Sequence, residues 1–145
     1  MFSKACEYGI KAMIYLAQQS LLDRNSSLRE IAMAIDSPTS FTAKILQSLA
    51  RDRIVQANKG PNGGYLIDAN HIETITLQEI VRAIDGDEIY QGCALGLEEC
   101  SEMQPCPMHY RFKKIRDELK IMLETTTILQ LSEGLNAGVS VLKRN

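Results

Sequence analysis

Cys6, Ile10, Met13, Ile14, Ala17 and Leu21 recur three and four residues apart, which predicts an amphipathic helix over residues 2–21. The pattern stops at "LLDRNSS" and then restarts. Leu28, Ile31, Ala32 and Ile35 stand at i, i+3, i+4 and i+7, behind Ser27 and Glu30 in capping-box positions. A third short helix follows across three or four residues. Ser37 can cap it, Pro38 suits its first position, and Phe41, Ile45 and Leu49 form its stripe. Two short helices joined this closely have the geometry of a helix-turn-helix, although many αα-hairpins with no DNA role share it.

The period then changes. "RIVQANKGPNGGYLID" holds two β-prone runs, Ile54–Ala57 and Tyr65–Ile67, around a turn rich in Lys, Gly, Pro and Asn, and predicts a β-hairpin. A hairpin directly behind the second helix of a helix-turn-helix is a wing. "ITLQEIVRAIDGD" reads as another capped helix, with Thr76 and Glu79 as the box and Leu77, Ile80, Val81 and Ile84 on one face. Met108, Phe112, Ile115, Leu119, Met122, Leu123 and Leu129 predict a helix over residues 108–131, roughly 36 Å long. So long a stripe exceeds what one small domain covers, so a second copy is expected to pack on it. The expected fold is mainly α with a small β-hairpin: a winged helix-turn-helix domain over 1–90, a cysteine-rich loop over 91–107, and a dimerisation helix and tail over 108–145.

Composition adds bounds. A chain of 145 residues and 16.2 kDa, 45% hydrophobic and 23% charged, can bury a core without disulfides and is neither fibrous nor disordered by composition. Neither an apolar run of about 18 residues nor a signal-peptide pattern is present, so no membrane association and a cytoplasmic location are expected. The four cysteines would then be reduced thiols or ligands. The net charge of −2 gives no global sign of nucleic-acid binding. Residues 1–68, however, hold eight Lys/Arg against six Asp/Glu, a mild positive excess, and the remainder is acidic.

A winged helix would place residues 38–51 in the major groove. Opposite the apolar stripe lie Ser40, Ala43, Gln47 and Arg51, flanked by Thr39 and Lys44, a small and polar face able to approach base edges and phosphates. The wing tip offers Asn58, Lys59 and Asn62 beside glycines that allow close backbone approach. The alternative is a solvated helix face and an ordinary hairpin; the wing favours DNA. "KGPNGG" is not a nucleotide loop, because it lacks the Gly-Lys-Ser/Thr ending and lies between strands.

Cys93, Cys100 and Cys106 form C-x6-C-x5-C, with His109 three residues beyond. Thiolates crowded this closely repel one another and call for a cation. An iron–sulfur cluster suits ligands spread this widely; zinc prefers tighter pairs, a metal-free thiol switch needs only two cysteines, and chance clustering needs none. His109 is a candidate fourth ligand or a helix N-terminal residue. His71 has no nearby partner and reads as solvent-exposed, and Cys6 reads as a core residue. A cysteine redox enzyme is disfavoured, since no C-x-x-C pair or paired acid and base occurs. A winged-helix protein-interaction module without DNA binding is a further alternative.

Together "YGIKAMIYLA", the pair "LREIAMAI" and "SFTAKILQSLARDRIV", the wing "KGPNGGYLI", the helix "ITLQEIVRAIDG" and the cysteine triplet before a long helix resemble bacterial winged-helix iron–sulfur regulators of the IscR and NsrR type. The resemblance covers nearly the whole chain. It implies a homodimer crossed through the long helix, a repressor or other regulator that binds double-stranded promoter DNA and senses iron–sulfur, redox or nitric-oxide status. Carried over, the cluster ligands would be Cys93, Cys100 and Cys106, with His109 where IscR-like members place a histidine. Glu7 falls near the acidic ligand that NsrR-like members take from the partner subunit. A [2Fe-2S] cluster is favoured over [4Fe-4S]. The chain departs from the pattern in its first cysteine gap, six residues where related members commonly have five.

Overall fold

The computed structural model describes residues 1–144; Asn145, the end of the tail assigned from sequence, lies outside the described residues. Helix α1, Lys4–Leu21, is the element around which the others pack. It begins two residues later than its periodicity suggested because the Ser3 hydroxyl accepts from the Cys6 amide and so fixes the N-cap. Cys6, Ala12, Met13, Leu16 and Ala17 along it are completely buried, as the apolar stripe requires.

Helices α2, Leu28–Ile35, and α3, Thr39–Arg51, form the helix-turn-helix. Ser27 caps α2 through the Glu30 amide, and Asp36 closes it in the left-handed region at φ 54°. Pro38 occupies the N-cap of α3, one position before the one expected. The Ser37 hydroxyl accordingly bonds the Thr42 hydroxyl, which also contacts the Pro38 carbonyl at 2.8 Å. The buried face of α3 is Thr42, Ile45, Leu46 and Leu49. Phe41, expected on that stripe, is half-buried and meets the Tyr8 ring edge-on, centroids 5.6 Å apart.

Strands β1, Gln56–Asn58, and β2, Gly64–Leu66, pair antiparallel with Gln56 opposite Leu66 and Asn58 opposite Gly64. The first strand starts later than the apolar run because the Val55 side chain is taken into the core. Ser26 adds a third edge: its amide donates to the Tyr65 carbonyl at 3.0 Å, and its carbonyl accepts from the Tyr65 amide at 2.7 Å. Gly64 permits this approach, with φ +142° and a position where a Cβ would stand 2.6 Å from the Ser26 oxygen. Gly64→Ala is therefore expected to cost about 1–3 kcal/mol in thermal or denaturant unfolding, through backbone strain and a displaced wing.

Helix α4, Leu77–Asp85, carries the complete Thr76/Glu79 capping box, and a single turn, α5, Glu88–Gln91, follows. Helix α6 spans His109–Thr125, about 25 Å. The expected continuation to residue 131 does not occur. Thr126 and Thr127 are extended, and Thr127 opens a separate helix, α7, Ile128–Asn136, with its own reciprocal box to Gln130. The break is imposed from outside the segment: the Leu77 amide donates to the Thr126 carbonyl at 3.0 Å, and the Ile128 amide to the Ile75 carbonyl at 2.9 Å. Leu129 thus belongs to α7, which folds back along α1, and Leu123 and Ile128 join the same core as α1 to α4. Among the described residues no helix is long and apolar enough to cross a membrane.

Candidate nucleic-acid interface and cysteine loop

Thr39, Ser40, Lys44, Gln47 and Arg51 of α3, and Asn58, Lys59 and Asn62 of the wing, are all exposed. The helix stripe explains the first five, since burying Thr42, Ile45, Leu46 and Leu49 turns them outward. Thr39 and Ser40 stand in the first turn, where amides without intrahelical partners favour an anionic group. Among the described residues Lys44, Arg51 and Lys59 form no ion pair with a carboxylate, so their charge is available to phosphate.

The wing tip is held as well as presented. Asn25 donates to the Asn62 carbonyl at 3.1 Å, and the Gly63 amide donates to Gly60 at 2.9 Å across the turn. A Cβ at Gly63 would lie 2.3 Å from the Asn58 carbonyl, so glycine is required there. Asn25 and Ser26 are functional supports that the sequence pattern did not single out; both lie in the polar break "DRNSS" and act on partners distant in the chain.

The residues between α5 and α6 form the cysteine loop, without regular structure apart from turns. All four cysteines are free. Cys93, Cys100 and Cys106 are half-buried, outside the hydrophobic core. The loop brings its ligand candidates together as two pairs. Cys100 Sγ lies 3.3 Å from Nδ1 of His109, and Cys106 stands near enough to Cys93 to help lower its thiol pKa. The amides of Leu95, 3.4 Å from the sulfur, and Leu97, with help from Cys106 and Gly96, hold the Cys93 thiol below the ordinary range despite opposing desolvation. Cys93 and Cys100 also share a cleft lined by Asp87, Glu88, Glu98 and Glu99.

His109 is 3% exposed, and its Nε2 is buried without a partner. With Nδ1 against the Cys100 thiol and Nε2 unpartnered, the ring has a nitrogen that could serve a metal. Three thiols and one imidazole are donor types that a metal centre uses. Among the described residues, no three His, Cys, Asp or Glu side chains converge as a group able to hold one metal ion. Glu7 stands apart, exposed on the first turn of α1 and paired with Lys4 at 3.4 Å.

The other two singled-out residues fall where their surroundings in sequence indicated. His71 is exposed. Cys6 is in the core, where burial first and the Asp85 carboxylate second push its thiol up to about 12, leaving it protonated and unreactive at neutral pH.

Helix α6 leaves an apolar face uncovered. Met108 precedes it and Ile115 and Met122 lie along it, 44%, 64% and 42% exposed, with half-buried Phe112 and Leu119 between them at alternating spacings of four and three.

The family described as Rrf2, iron-dependent transcriptional regulator, matches residues 2–134. The chain is 28% identical over 132 residues to BadM of Rhodopseudomonas palustris, an alignment covering 91% of this chain and 79% of that one. It is 27% identical over 133 residues to the HTH-type regulator Rv1287 of Mycobacterium tuberculosis, covering 91% and 81%. Its fold is similar to that of CymR, described as the global cysteine regulator of B. subtilis, with TM-score 0.74, 26% identity and coverage of 92% and 96%. The T. potens IscR structure shares the fold at TM-score 0.72 and 20% identity, covering 97% and 92%. The family and these regulators are not enzymes, which sets the redox-enzyme reading aside. With the winged helix-turn-helix on the same residues that the family match covers, the chain belongs to the Rrf2 family of iron-dependent transcriptional regulators.

Proposed function

We propose that the protein is a cytoplasmic, homodimeric regulator that binds palindromic promoter DNA and responds to iron–sulfur, redox or nitric-oxide status through an iron–sulfur cluster held in the loop over 91–107. The observation that carries the cofactor reading is His109: a buried imidazole with one nitrogen against Cys100 and the other unpartnered. Cys93, Cys100, Cys106 and His109 would be the ligands. A zinc ion requires all of its ligands at about 2.0–2.3 Å from one point. Two separate pairs suit a wider, multi-iron group better. His109 favours [2Fe-2S]; Glu7, far out on α1, would enter only from the partner subunit.

When bound, the cluster supplies a centre whose charge and integrity change with oxidants or nitric oxide. The chain's own residues do the rest. Thr39, Ser40 and Gln47 approach base edges, while Lys44, Arg51 and Lys59 engage phosphates and the wing sits beside the groove. Anaerobic purification with iron and sulfide analysis tests the cofactor; a colourless protein with one zinc per chain overturns it. The nearness of Cys106 to Cys93, with the Cys93 thiol pKa lowered chiefly by the Leu95 and Leu97 amides, supports a second reading as a metal-free thiol switch. Reversible loss of both thiols, with no iron bound, would select that reading.

For DNA, exchanging Lys44 and Lys59 together for Gln removes four phosphate contacts from a dimer and is expected to lower the slope of log K against log salt by about 3.6, or about 0.9 per contact. Titration of labelled duplex across a salt series measures this. An unchanged slope would point to a protein-interaction module.

A further inference from the structure

Arg116, in the middle of α6, is 7% exposed, yet no buried carboxylate faces it. The nearest is Asp117, 3.8 Å away, partly exposed and already held by Lys113 at 2.8 Å. The guanidinium turns instead to backbone: its Nη1 donates to the Gly92 carbonyl at 3.0 Å and to the Gln91 carbonyl at 3.3 Å. Its Nε is buried without a partner. Burying a cation is costly unless its hydrogen bonds are met, so an arginine retained here with one donor unmet has a use for its fixed geometry. The two carbonyls are the last of α5 and its C-cap, and the next residue is Cys93. A Cβ at Gly92 would stand 2.8 Å from the Glu88 carbonyl, so the turn is glycine-specific and its direction is set.

We propose that Arg116 is a positioning residue that fastens the start of the cysteine loop, and with it Cys93, to the helix bearing the exposed apolar face. This rests on the reading of the loop as a cofactor cradle only for its consequence, not for the clamp. The loop's other end is already continuous with α6 through Cys106 and His109, whose amide bonds the Cys106 carbonyl at 3.0 Å. With Arg116 the loop is tied to one helix at both ends. Rearrangement of the cysteines then pulls on α6 at His109 and, two turns further on, at Arg116, rather than dissipating in a free loop.

The test is hydrogen exchange on the full chain purified without cofactor, comparing the parent with Arg116→Met and Arg116→Lys. Arg116→Met is expected to speed exchange of the amides from Gly92 to Leu97 at least about tenfold while α1 to α4 keep their protection, because only the local opening is made easier. Arg116→Lys, which keeps charge but offers no fork, should recover part of the protection. If Arg116→Met does not fold, the Arg116→Lys comparison alone decides the matter. Unchanged loop exchange in a folded variant overturns the clamp. A second readout follows iron-loaded chains in air, where the visible absorbance of Arg116→Met should decay several-fold faster. Should no chain take up iron, the cofactor reading fails, and the exchange result still decides Arg116.

Discussion

A chain carrying Cys93→Ala, Cys100→Ala and Cys106→Ala together is expected to purify without iron or sulfide, colourless, and with its winged-helix domain intact. The three thiols lie in a loop outside the core, so each substitution should change stability by no more than about 0.5 kcal/mol. The effect on the cofactor is instead complete, because His109 alone supplies one nitrogen where a cluster needs four ligands. Circular dichroism and thermal unfolding check the fold, and iron and sulfide analysis checks the loss. His109→Ala is a different case. It leaves three thiols and opens a hole no larger than the buried imidazole, so iron should be retained with an altered spectrum and faster loss. If the triple variant binds as much iron as the parent, the loop is not the cradle. If His109→Ala leaves spectrum and lifetime unchanged, the buried imidazole is not a ligand.

What could be read from the chain and what could not divides along the range of the interactions concerned. Ser27 and Thr76 cap their helices through amides three residues away, so α2 and α4 were legible from their first turns. The wing was legible because the turn through Gly60 and Gly63 closes within the hairpin, whereas the close approach of Ser26 to Gly64 was not. The end of α6 was not. Leu123, Ile128 and Leu129 continue an apolar pattern across Thr125-Thr126-Thr127, and nothing local forbids a helix there. The break comes from a pair of hydrogen bonds to Ile75 and Leu77, a tertiary contact that overrides propensity. The candidate site shows the same division. The cysteine spacing and the histidine were visible, but that Cys100 meets His109 while Cys93 stands near Cys106 depends on how the loop folds. Arg116 carried no signal at all, since an arginine on a charged helix reads as solvated until its burial is seen.

Placing charge on the open face of α6, as in Ile115→Glu combined with Met122→Glu, is expected to convert the protein to a monomer and to weaken binding to a two-half-site duplex by about 10²–10⁴-fold. The face runs Met108, Phe112, Ile115, Leu119, Met122, and the alternation of four and three is the heptad spacing at which two helices interlock side chains. Among the described residues Leu119 rests partly on the core, and Ile115 and Met122 stay open. Leu123 turns into the core and α7 leaves along α1, so Ile115 and Met122 stay 64% and 42% exposed. A glutamate at either position costs the monomer little, because water already reaches the site. In a paired helix two copies of that carboxylate would face each other in an apolar seam, where desolvation and like charge both oppose association. The loss in DNA affinity follows from geometry. A dimer holds its second reading head near the second half-site at an effective concentration in the millimolar range, and a monomer must bind that half-site from bulk solution. Leu22→Glu is the control, an apolar residue as exposed, at 56%, but beyond the end of α1 and off the stripe. It should leave both mass and affinity unchanged. Sedimentation gives the mass and duplexes carrying one or two half-sites give the affinities. A double variant that stays dimeric would place the interface elsewhere. One that becomes monomeric yet binds both duplexes as the parent does would mean that a single α3 and wing suffice to read the site.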